Sequence, residues 1–539
     1  MADNIMDGII SWLRDCMTSN GHDGCVYTGK LELPTRVLDV GRSQDGTVKL
    51  YPNKSGMAED YVALSYCWGG PQPLTANNGN MRQLMDGIEL SALPQTLQDA
   101  VLVTRRLGFR YLWVDAICII QDNNEDKMKE ISRMGNIYRN ATATIAASYS
   151  GSASGGFLKP DLKLAETPSC TIPFWTSNPD NLKGAVTIAV EPGGKRPLQP
   201  LSTRGWAYQE AVLSPRLIAF SEFEVYCECH RRNRVVLNSG PRRHITGGRL
   251  YAPDLRLLAD IQEARRDHGA AWMDEKYLAE IWENAVVQFT LRALTVADDR
   301  LPGVQGLASE IAEHLGAGVG GDYVAGVWTH CLPRLLLWSR SDVPPVEVQM
   351  YDAEGNFLPG RAVQQRVRST RAPSWSWACL DCPVRFFSDE GDRYDATVSV
   401  RKDWYPSVGA EAARLPELGY TEFVMVEIEC EVLLRSPHEV VEDMATGSVR
   451  IAMDLELDEM ESKDKTVYYL FLSKNFGPDA WDHDLKLMGP LRLWYSSGLV
   501  VYEVSEGLFR RVGYFRWDHG DLVDGAEPNF GVRRSVKVI

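Results

Sequence analysis

The chain has 539 residues, of which 44% are hydrophobic and 24% are charged. These values are typical of globular proteins, and the length predicts about three domains rather than one. The formal net charge of −15 argues against a general nucleic-acid-binding protein, because phosphate neutralisation needs clustered lysines and arginines.

The cysteines and the N-terminus predict a cytoplasmic protein. The 11 cysteines are odd in number and scattered, which is typical of reduced thiols rather than of a disulfide framework. The chain begins Met1-Ala-Asp-Asn-Ile, without the basic region and apolar run of a signal peptide. No segment approaches the ~20 apolar residues that a membrane-spanning helix needs. We therefore expect a protein without a membrane span.

Residues 61–147 predict a β-α-β-α-β alternation, which implies a mostly parallel sheet with right-handed crossovers. Apolar runs predict strands at 61–66, 111–114 and 142–147. A helix follows Pro94, which suits a first helical turn, and Gly108 ends it. Four apolar residues at helical spacing predict the buried face of the next helix: Ile131, Met134, Ile137 and Tyr138.

The remaining segments complete a four-part organisation. Residues 1–60 form an N-terminal extension, and 61–235 form an α/β domain with a Gly-, Ser- and Pro-rich insertion at about 150–200 that carries a strand at 186–190. A helix at 204–211 and paired strands at 216–220 and 225–229 end that domain. Residues 236–345 are predicted helical, and 346–539 form an antiparallel β-rich domain. Its predicted strands are 424–434, 449–457, 467–472, 499–504 and 511–517, with a hairpin turn at 505–508.

Polar side chains follow the first two predicted strands. Ser65 and Tyr66 end the first strand and Trp68 follows it, and Asp115 and Gln121 come after the second. Ligands of open α/β sheets bind beyond the carboxyl ends of the strands, so these side chains predict a binding rim.

Two further groups extend the predicted rim. Glu130 is expected in the first turns of its helix, pointing away from the core toward the rim, although an isolated helical Glu is more often solvated. Asp115 has an alternative role in capping the next loop. A second cluster comprises Arg204, Trp206, Gln209 and Glu210. For this cluster, ligand contact and a buried ion pair are equally good interpretations.

The cysteine clusters invite a zinc interpretation that their spacing does not support. The three clusters are Cys16 with His22 and Cys25, Cys227 with Cys229 and His230, and Cys379 with Cys382. The two short clusters lack the paired spacing of zinc fingers, and buried Cys packs as a small hydrophobe. The N-terminal trio is the best of the three candidates, but it lacks an obvious fourth ligand. We predict no metal and no bound cofactor. Cys67 and Cys118 as nucleophiles lack a nearby His, so packing is favoured for them as well.

Several long motifs resemble the heterokaryon incompatibility (HET) domain of filamentous fungi. They occur in the family's order within 61–221 and cover about 170 residues, in keeping with one domain. The motifs are Ser-Tyr-Cys-Trp-Gly, Leu-Pro-Gln-Thr-Leu-Gln-Asp-Ala, Trp-Val-Asp-Ala-Ile-Cys-Ile, Met-Gly-Asn-Ile-Tyr-Arg-Asn-Ala and Arg-Gly-Trp-Ala-Tyr-Gln-Glu. Flanking segments at 33–39 and 372–378 also resemble features of such proteins.

The resemblance implies a role in non-self recognition and regulated cell death after fusion of unlike hyphae. The family is similar to TIR domains, some of which cleave NAD⁺ with a helical Glu, so a TIR-like (flavodoxin-like) fold is implied. It places a catalytic role on Glu130, with NAD⁺ as substrate. Ligand-binding roles fall to Ser65, Tyr66, Trp68, Asp115, Gln121, Arg204 and Trp206. TIR enzymes often carry Trp-x-x-Glu, whereas Lys127 stands at the Trp position here.

Two hypotheses follow from the sequence. In the first, the domain is a cell-death effector that hydrolyses NAD⁺ or a related nucleotide. In the second, it is a non-enzymatic module that acts by self-association or by binding other incompatibility proteins. A Glu130 variant that abolishes cell death without altering folding or assembly favours the first.

Overall fold

The structure is a computed structural model. It describes residues 3–18, 25, 29–41, 46–158, 169–175, 183–189, 199–221, 225–230, 235–236, 261, 275–315, 321–341, 350–351, 357–358, 372–387, 392–394, 396–401, 425–435, 449–453, 466–478, 491–505, 508–518 and 532–538. The chain forms two compact units. The first contains Met1–Glu263, Pro302–Glu310 and Val346–Arg361, and the second contains Ala264–Leu301, Ile311–Pro345 and Ala362–Ile539.

The helices are α1 (Asp3–Met17), α2 (Met81–Asp86), α3 (Gln95–Arg106), α4 (Asp115–Cys118), α5 (Asn124–Asn140), α6 (Gly205–Leu213), α7 (Glu275–Thr290) and α8 (Pro302–Leu315). The first eleven strands are β1 (Arg36–Asp39), β2 (Thr47–Pro52), β3 (Tyr61–Ser65), β4 (Ile88–Glu89), β5 (Tyr111–Trp113), β6 (Ala143–Ala147), β7 (Ser169–Trp175), β8 (Lys183–Ala189), β9 (Arg216–Phe220), β10 (Val225–Cys229) and β11 (Val235–Val236). The others are β12 (Tyr323–Val324), β13 (Val327–Trp328), β14 (Trp338–Arg340), β15 (Met350–Tyr351), β16 (Phe357–Leu358), β17 (Val384–Phe386), β18 (Asp392–Tyr394), β19 (Thr397–Arg401), β20 (Met425–Arg435), β21 (Val449–Met453), β22 (Val467–Pro478), β23 (Leu491–Ser505), β24 (Leu508–Asp518) and β25 (Val532–Val538).

A nine-stranded mixed sheet is the centre of the first unit, with the order β11-β10-β9-β6-β3-β5-β1-β2-β4. The four central strands, β9-β6-β3-β5, are parallel, whereas the strands on both flanks pair antiparallel. Numbered along the chain, the central strands have the order 2-1-3-4, with which a flavodoxin-like sheet begins. The expected mostly parallel sheet is therefore corrected to a mixed one, because β1 and β2 of the predicted N-terminal extension join it.

The central strands are apolar because both faces of a parallel sheet are covered. All five residues of β3 are buried. Two tyrosines hold α5 against it: Tyr61 Oη donates to the carbonyl of Ile137 at 2.6 Å, and Tyr138 Oη donates to that of Leu64 at 3.0 Å. The α5 helix therefore has a fixed register on the sheet.

The connecting helices follow their sequence signals. Gly108, just beyond α3, has φ +86°, a conformation that favours glycine and confirms the predicted helix end. Asn123 caps α5 by accepting a hydrogen bond from the backbone N–H of Asp126. The α5 helix therefore begins well before the predicted apolar stripe.

A close contact between two helices involves two glycines of the first unit. A Cβ on Gly135 of α5 would lie 2.8 Å from Cα of Gly306 in α8. The backbone N–H of Gly306 also donates to Oε1 of Gln209 at 2.8 Å. This close approach of the two backbones requires glycine at both positions, because any other residue would place a Cβ atom between the helices.

The predicted insertion carries a hairpin in which β7 and β8 pair antiparallel, from Ser169 opposite Ala189 to Trp175 opposite Lys183. This confirms most of the strand predicted at 186–190. No helix among the described residues is long and apolar enough to cross a bilayer.

The second unit is rich in antiparallel strands, as predicted. An eight-stranded sheet runs β18-β22-β23-β24-β25-β20-β19, with β21 as its eighth strand paired to β24. A further β20–β22 pairing makes five of its strands a closed ring. One face buries an aromatic cluster that includes Tyr469, Phe471 and Phe515. In the helical part of this unit, Trp282 of α7 is fully buried and donates its indole N–H to the carbonyl of Gly326.

Candidate functional site

Six polar or aromatic side chains meet at the carboxyl ends of the parallel strands. Ser65 is the last residue of β3, and Tyr66 and Trp68 follow it. Asp115 begins α4 directly after β5, and Arg204 precedes α6, which contains Glu210. We call Ser65, Tyr66, Trp68, Asp115, Arg204 and Glu210 the carboxyl-end cluster.

Hydrogen bonds link these side chains across long sequence separations. Ser65 Oγ donates to Oε2 of Glu210, and the guanidinium of Arg204 donates to the carbonyl of Tyr66. Trp68 Nε1 donates to Oδ2 of Asp115 at 2.9 Å. Three hydrogen bonds thus tie the end of β3 and the residues after it to α6 and to the start of α4.

Burial dominates the electrostatics of the cluster. It raises the pKa of Glu210 from 4.5 to about 7, with Arg204 and the Ser65 hydrogen bond acting in the opposite direction. Burial also raises the pKa of Asp115, against the lowering effects of Arg204 and Trp68. Two nearby carboxyl groups share one guanidinium, so a proton can be taken up or released here near neutral pH.

The cluster includes five of the side chains for which binding was predicted: Ser65, Tyr66, Trp68, Asp115 and Arg204. Gln121 lies beside it, where its Nε2 donates to the backbone carbonyl of Asp115 at 3.1 Å. Trp206 is half-buried near the start of α6. Their binding roles stay predictions.

Glu210 was absent from the predicted binding residues. Its signal was the Arg-Gly-Trp-Ala-Tyr-Gln-Glu motif, in which Trp206 and Glu210 stand four residues apart and share one helix face. Gln209 faces elsewhere and accepts a hydrogen bond from Gly306. The predicted second cluster therefore divides between the site and a helix contact.

Glu130 does not point away from the core, which corrects the orientation expected from the sequence. It is the seventh residue of α5 and is 0% exposed. Because α5 begins at Asn124, its buried stripe contains Glu130 together with Met134, Ile137 and Tyr138. Lys127, one turn earlier, is half-buried.

An arginine of β1 compensates the buried charge of Glu130. Nη2 of Arg36 lies 3.9 Å from Oε1 of Glu130 and 2.5 Å from Oδ2 of Asp126. Arg36 Nε also donates to the carbonyl of Cys118 at 2.6 Å. Among the described residues, neither carboxylate oxygen of Glu130 has a hydrogen-bond partner. A catalytic role for Glu130 stays a prediction.

Burial disfavours the reactive thiolate form of the two candidate nucleophiles, Cys67 and Cys118. It raises the pKa of Cys67 to about 11 and that of Cys118 to about 12. A thiol that stays protonated is a poor nucleophile, which favours packing for both residues.

The N-terminal cysteines combine with a residue of a different predicted cluster. The sulfur atoms of Cys16, Cys25 and Cys229 lie within 4.8 Å of one another, and all three residues are buried. His22 lies outside the described residues. Nε2 of His230 lies 3.1 Å from the carbonyl oxygen of Val212.

Residues 61–210 match the family model described as heterokaryon incompatibility protein (HET). The match confirms the resemblance drawn from the motifs and includes the whole carboxyl-end cluster. A HET domain implies involvement in heterokaryon incompatibility. No curated protein and no solved structure shows significant similarity to the chain.

Proposed function

We propose that this chain is a cytoplasmic effector of heterokaryon incompatibility whose HET domain hydrolyses NAD⁺ at the carboxyl-end cluster and so triggers regulated cell death. The observation that supports the proposal most is the buried carboxyl of Glu210, which lies near Arg204 and Asp115. Burial raises the pKa of this carboxyl to about 7. Catalytic acids and bases are tuned in this way toward the operating pH.

The reaction assigns roles to four side chains of the cluster. Trp68, which is half-buried, stacks on a ring of the nucleotide, and Arg204 pairs with its phosphates. The bond between ribose C1′ and the nicotinamide nitrogen breaks, and its electron pair leaves with nicotinamide. Asp115 stabilises the oxocarbenium-like charge that develops at C1′. Water then adds to C1′, and its proton passes to Glu210, giving ADP-ribose.

Glu210 carries the reacting carboxyl in this proposal, in place of the Glu130 that the resemblance implied. Both carboxyl groups are buried, with Glu130 0% and Glu210 4% exposed, so either must become accessible to act on a nucleotide. Glu210 lies within the carboxyl-end cluster, where it accepts a hydrogen bond from Ser65, whereas Glu130 lies beside Arg36 outside the cluster. The two carboxyl groups can be compared directly by mutation.

The test is NAD⁺ turnover by the purified full chain, in solution and concentrated on a crowding surface, with nicotinamide release measured by chromatography. We expect Glu210→Gln to abolish turnover while the protein stays folded. Glu125→Gln, an exposed change in the first turn of α5, is the matched control. Turnover that survives in Glu210→Gln but is lost in a folded Glu130→Gln protein would assign catalysis to Glu130. No turnover in any state would refute the enzymatic proposal.

The burial of Glu130 also supports a second candidate function, in which the HET domain is an assembly module without enzymatic activity. Under this reading, the cluster is a buried network that holds α6 to the sheet. Expression of the Glu210→Gln variant in cells, with light scattering of the purified protein, separates the two. Cell death and assembly that persist in a protein without turnover support the module, and loss of death with intact assembly supports the enzyme.

A further inference from the structure

Three cysteine thiols from separate segments meet in the first unit. Cys16 lies in the last turn of α1, Cys25 follows that helix, and Cys229 ends β10. All three are buried, and their sulfur atoms lie within 4.8 Å of one another. The fold therefore brings the distant thiol of Cys229 to the two N-terminal cysteines.

A buried arginine contacts one of the three thiols. Arg216 is the strand partner of Cys229 in the pairing of β9 with β10. Its Nε donates to Sγ of Cys16 at 3.3 Å, and its Nη2 donates to the carbonyl of Cys25 at 2.7 Å. A guanidinium directed at a sulfur atom in the interior favours a thiolate over a neutral thiol.

We propose that Cys16, Cys25 and Cys229 bind one Zn²⁺ ion as thiolates and so fasten α1 to the edge of the central sheet. A Zn–S bond of about 2.3 Å in tetrahedral geometry places the sulfur atoms about 3.8 Å apart. The spacing of up to 4.8 Å therefore needs only a small contraction. Zinc commonly combines three cysteines with one further ligand.

The charges of the site are balanced. Three thiolates and one Zn²⁺ leave a net charge of −1, which the guanidinium of Arg216 neutralises. Without a metal, the neighbouring thiols of Cys229 and Cys25 and burial raise the pKa of Cys16. A bound cation reverses this preference, and each ligand loses its proton to solvent on binding.

A disulfide or an iron–sulfur cluster fits the same residues less well. A disulfide joins two sulfur atoms, leaving the third thiol and the guanidinium of Arg216 without a purpose. Iron–sulfur clusters are usually held by four cysteines, and the described residues bring together three. Three thiolate ligands together with one lighter ligand suit zinc in tetrahedral geometry.

The experiment measures zinc in the full chain, purified without chelators and dialysed against Zn²⁺, by mass spectrometry of the metal. We expect about one zinc per chain, and no stoichiometric zinc in Cys16→Ser or Cys229→Ser. Cys227→Ser is the matched control, since Cys227 is buried in the same strand but lies outside the thiol group. Arg216→Met should weaken zinc binding about 10–100-fold, and Arg216→Lys should restore part of it.

X-ray absorption at the zinc edge keeps the proposal testable even where a variant fails to fold. Three sulfur ligands and one lighter ligand on the wild-type zinc are expected. Wild-type protein that holds no stoichiometric zinc, or zinc that is retained in Cys229→Ser, would overturn the proposal. A spectrum without three sulfur ligands would overturn it equally.

Discussion

Arg36 of β1 and Glu130 of α5 form a buried charge pair in which Nη2 and Oε1 are 3.9 Å apart. Asp126 is the closer partner of Arg36, at 2.5 Å, and its Oδ2 also accepts a hydrogen bond from the backbone N–H of Ile120. The two carboxylates therefore contribute unequally to the attachment of α5 to β1.

We expect Asp126→Asn to lower the free energy of unfolding by about 2 kcal/mol, because it weakens a charge-assisted hydrogen bond that Arg36 makes in the interior. Glu130→Gln should cost less than about 1 kcal/mol, since no hydrogen bond of the described residues is lost. Urea unfolding of both variants beside Glu125→Gln measures the difference. A larger loss for Glu130→Gln would contradict the unequal roles.

The raised pKa of Glu210 predicts a pH-dependent stability. The folded protein holds this proton up to a pH of about 7, whereas the unfolded chain releases it near 4.5, so stability from this group is complete below pH 4.5 and is lost as pH rises through 7. The unfolding free energy of wild type relative to Glu210→Gln should fall by about 3 kcal/mol between pH 4 and pH 8. Denaturant titrations at several pH values check this, and a constant difference would show that the Glu210 pKa is near its ordinary value.

The Trp68–Asp115 hydrogen bond, 2.9 Å long, should be measurable as a coupling energy. Trp68→Phe removes the donor and Asp115→Asn removes the charged acceptor, so the double variant should lose about 1–2 kcal/mol less than the sum of the single changes. Thermal unfolding of the four proteins closes the cycle. Additive losses would mean that the indole and the carboxylate contribute independently.

Gly135→Ala should destabilise the first unit by about 1–3 kcal/mol, although alanine ordinarily favours a helix interior. The added methyl group would lie 2.8 Å from the backbone of Gly306 and 3.3 Å from the Leu213 side chain. Asn136→Ala, an exposed change in the same helix, is the control and should be neutral or stabilising. Equal unfolding midpoints for Gly135→Ala and the wild type would show that the two helices move apart to fit the methyl group without loss of stability.

The centre of the α/β sheet was predictable because each buried parallel strand carries a continuous apolar run. Strands β1 and β2 on one flank of this sheet were missed, as was β25 in the sheet of the second unit, for a physical reason. Strand β2 alternates exposed and buried residues over only its first four positions, and β25 exposes five of its seven residues. Such strands form because their backbone N–H and C=O groups hydrogen-bond to a neighbouring strand. The local sequence pattern does not show where that neighbour lies.

The convergence of Ser65, Trp68 and Asp115 was predictable from topology, since carboxyl ends of parallel strands share one edge. The burial of Glu130 was not predictable in this way. The apolar stripe was taken to begin at Ile131, which placed the buried helix face one position too late. Its partner Arg36 also lies on one of the missed strands. Likewise, only the folded sheet brings Cys229 to the N-terminal cysteines.

The segment that matches the HET family, 61–210, contains three of the four central parallel strands, namely β3, β5 and β6. Strand β1 lies before the segment and covers the edge of β5, while β9 lies after it and covers the edge of β6. A fragment cut at the family boundaries would therefore present two bare strand edges to solvent, which promote aggregation by pairing with other copies. The autonomous folding unit of this domain extends at least from Arg36 to Cys229, and expression of shorter pieces should yield insoluble protein.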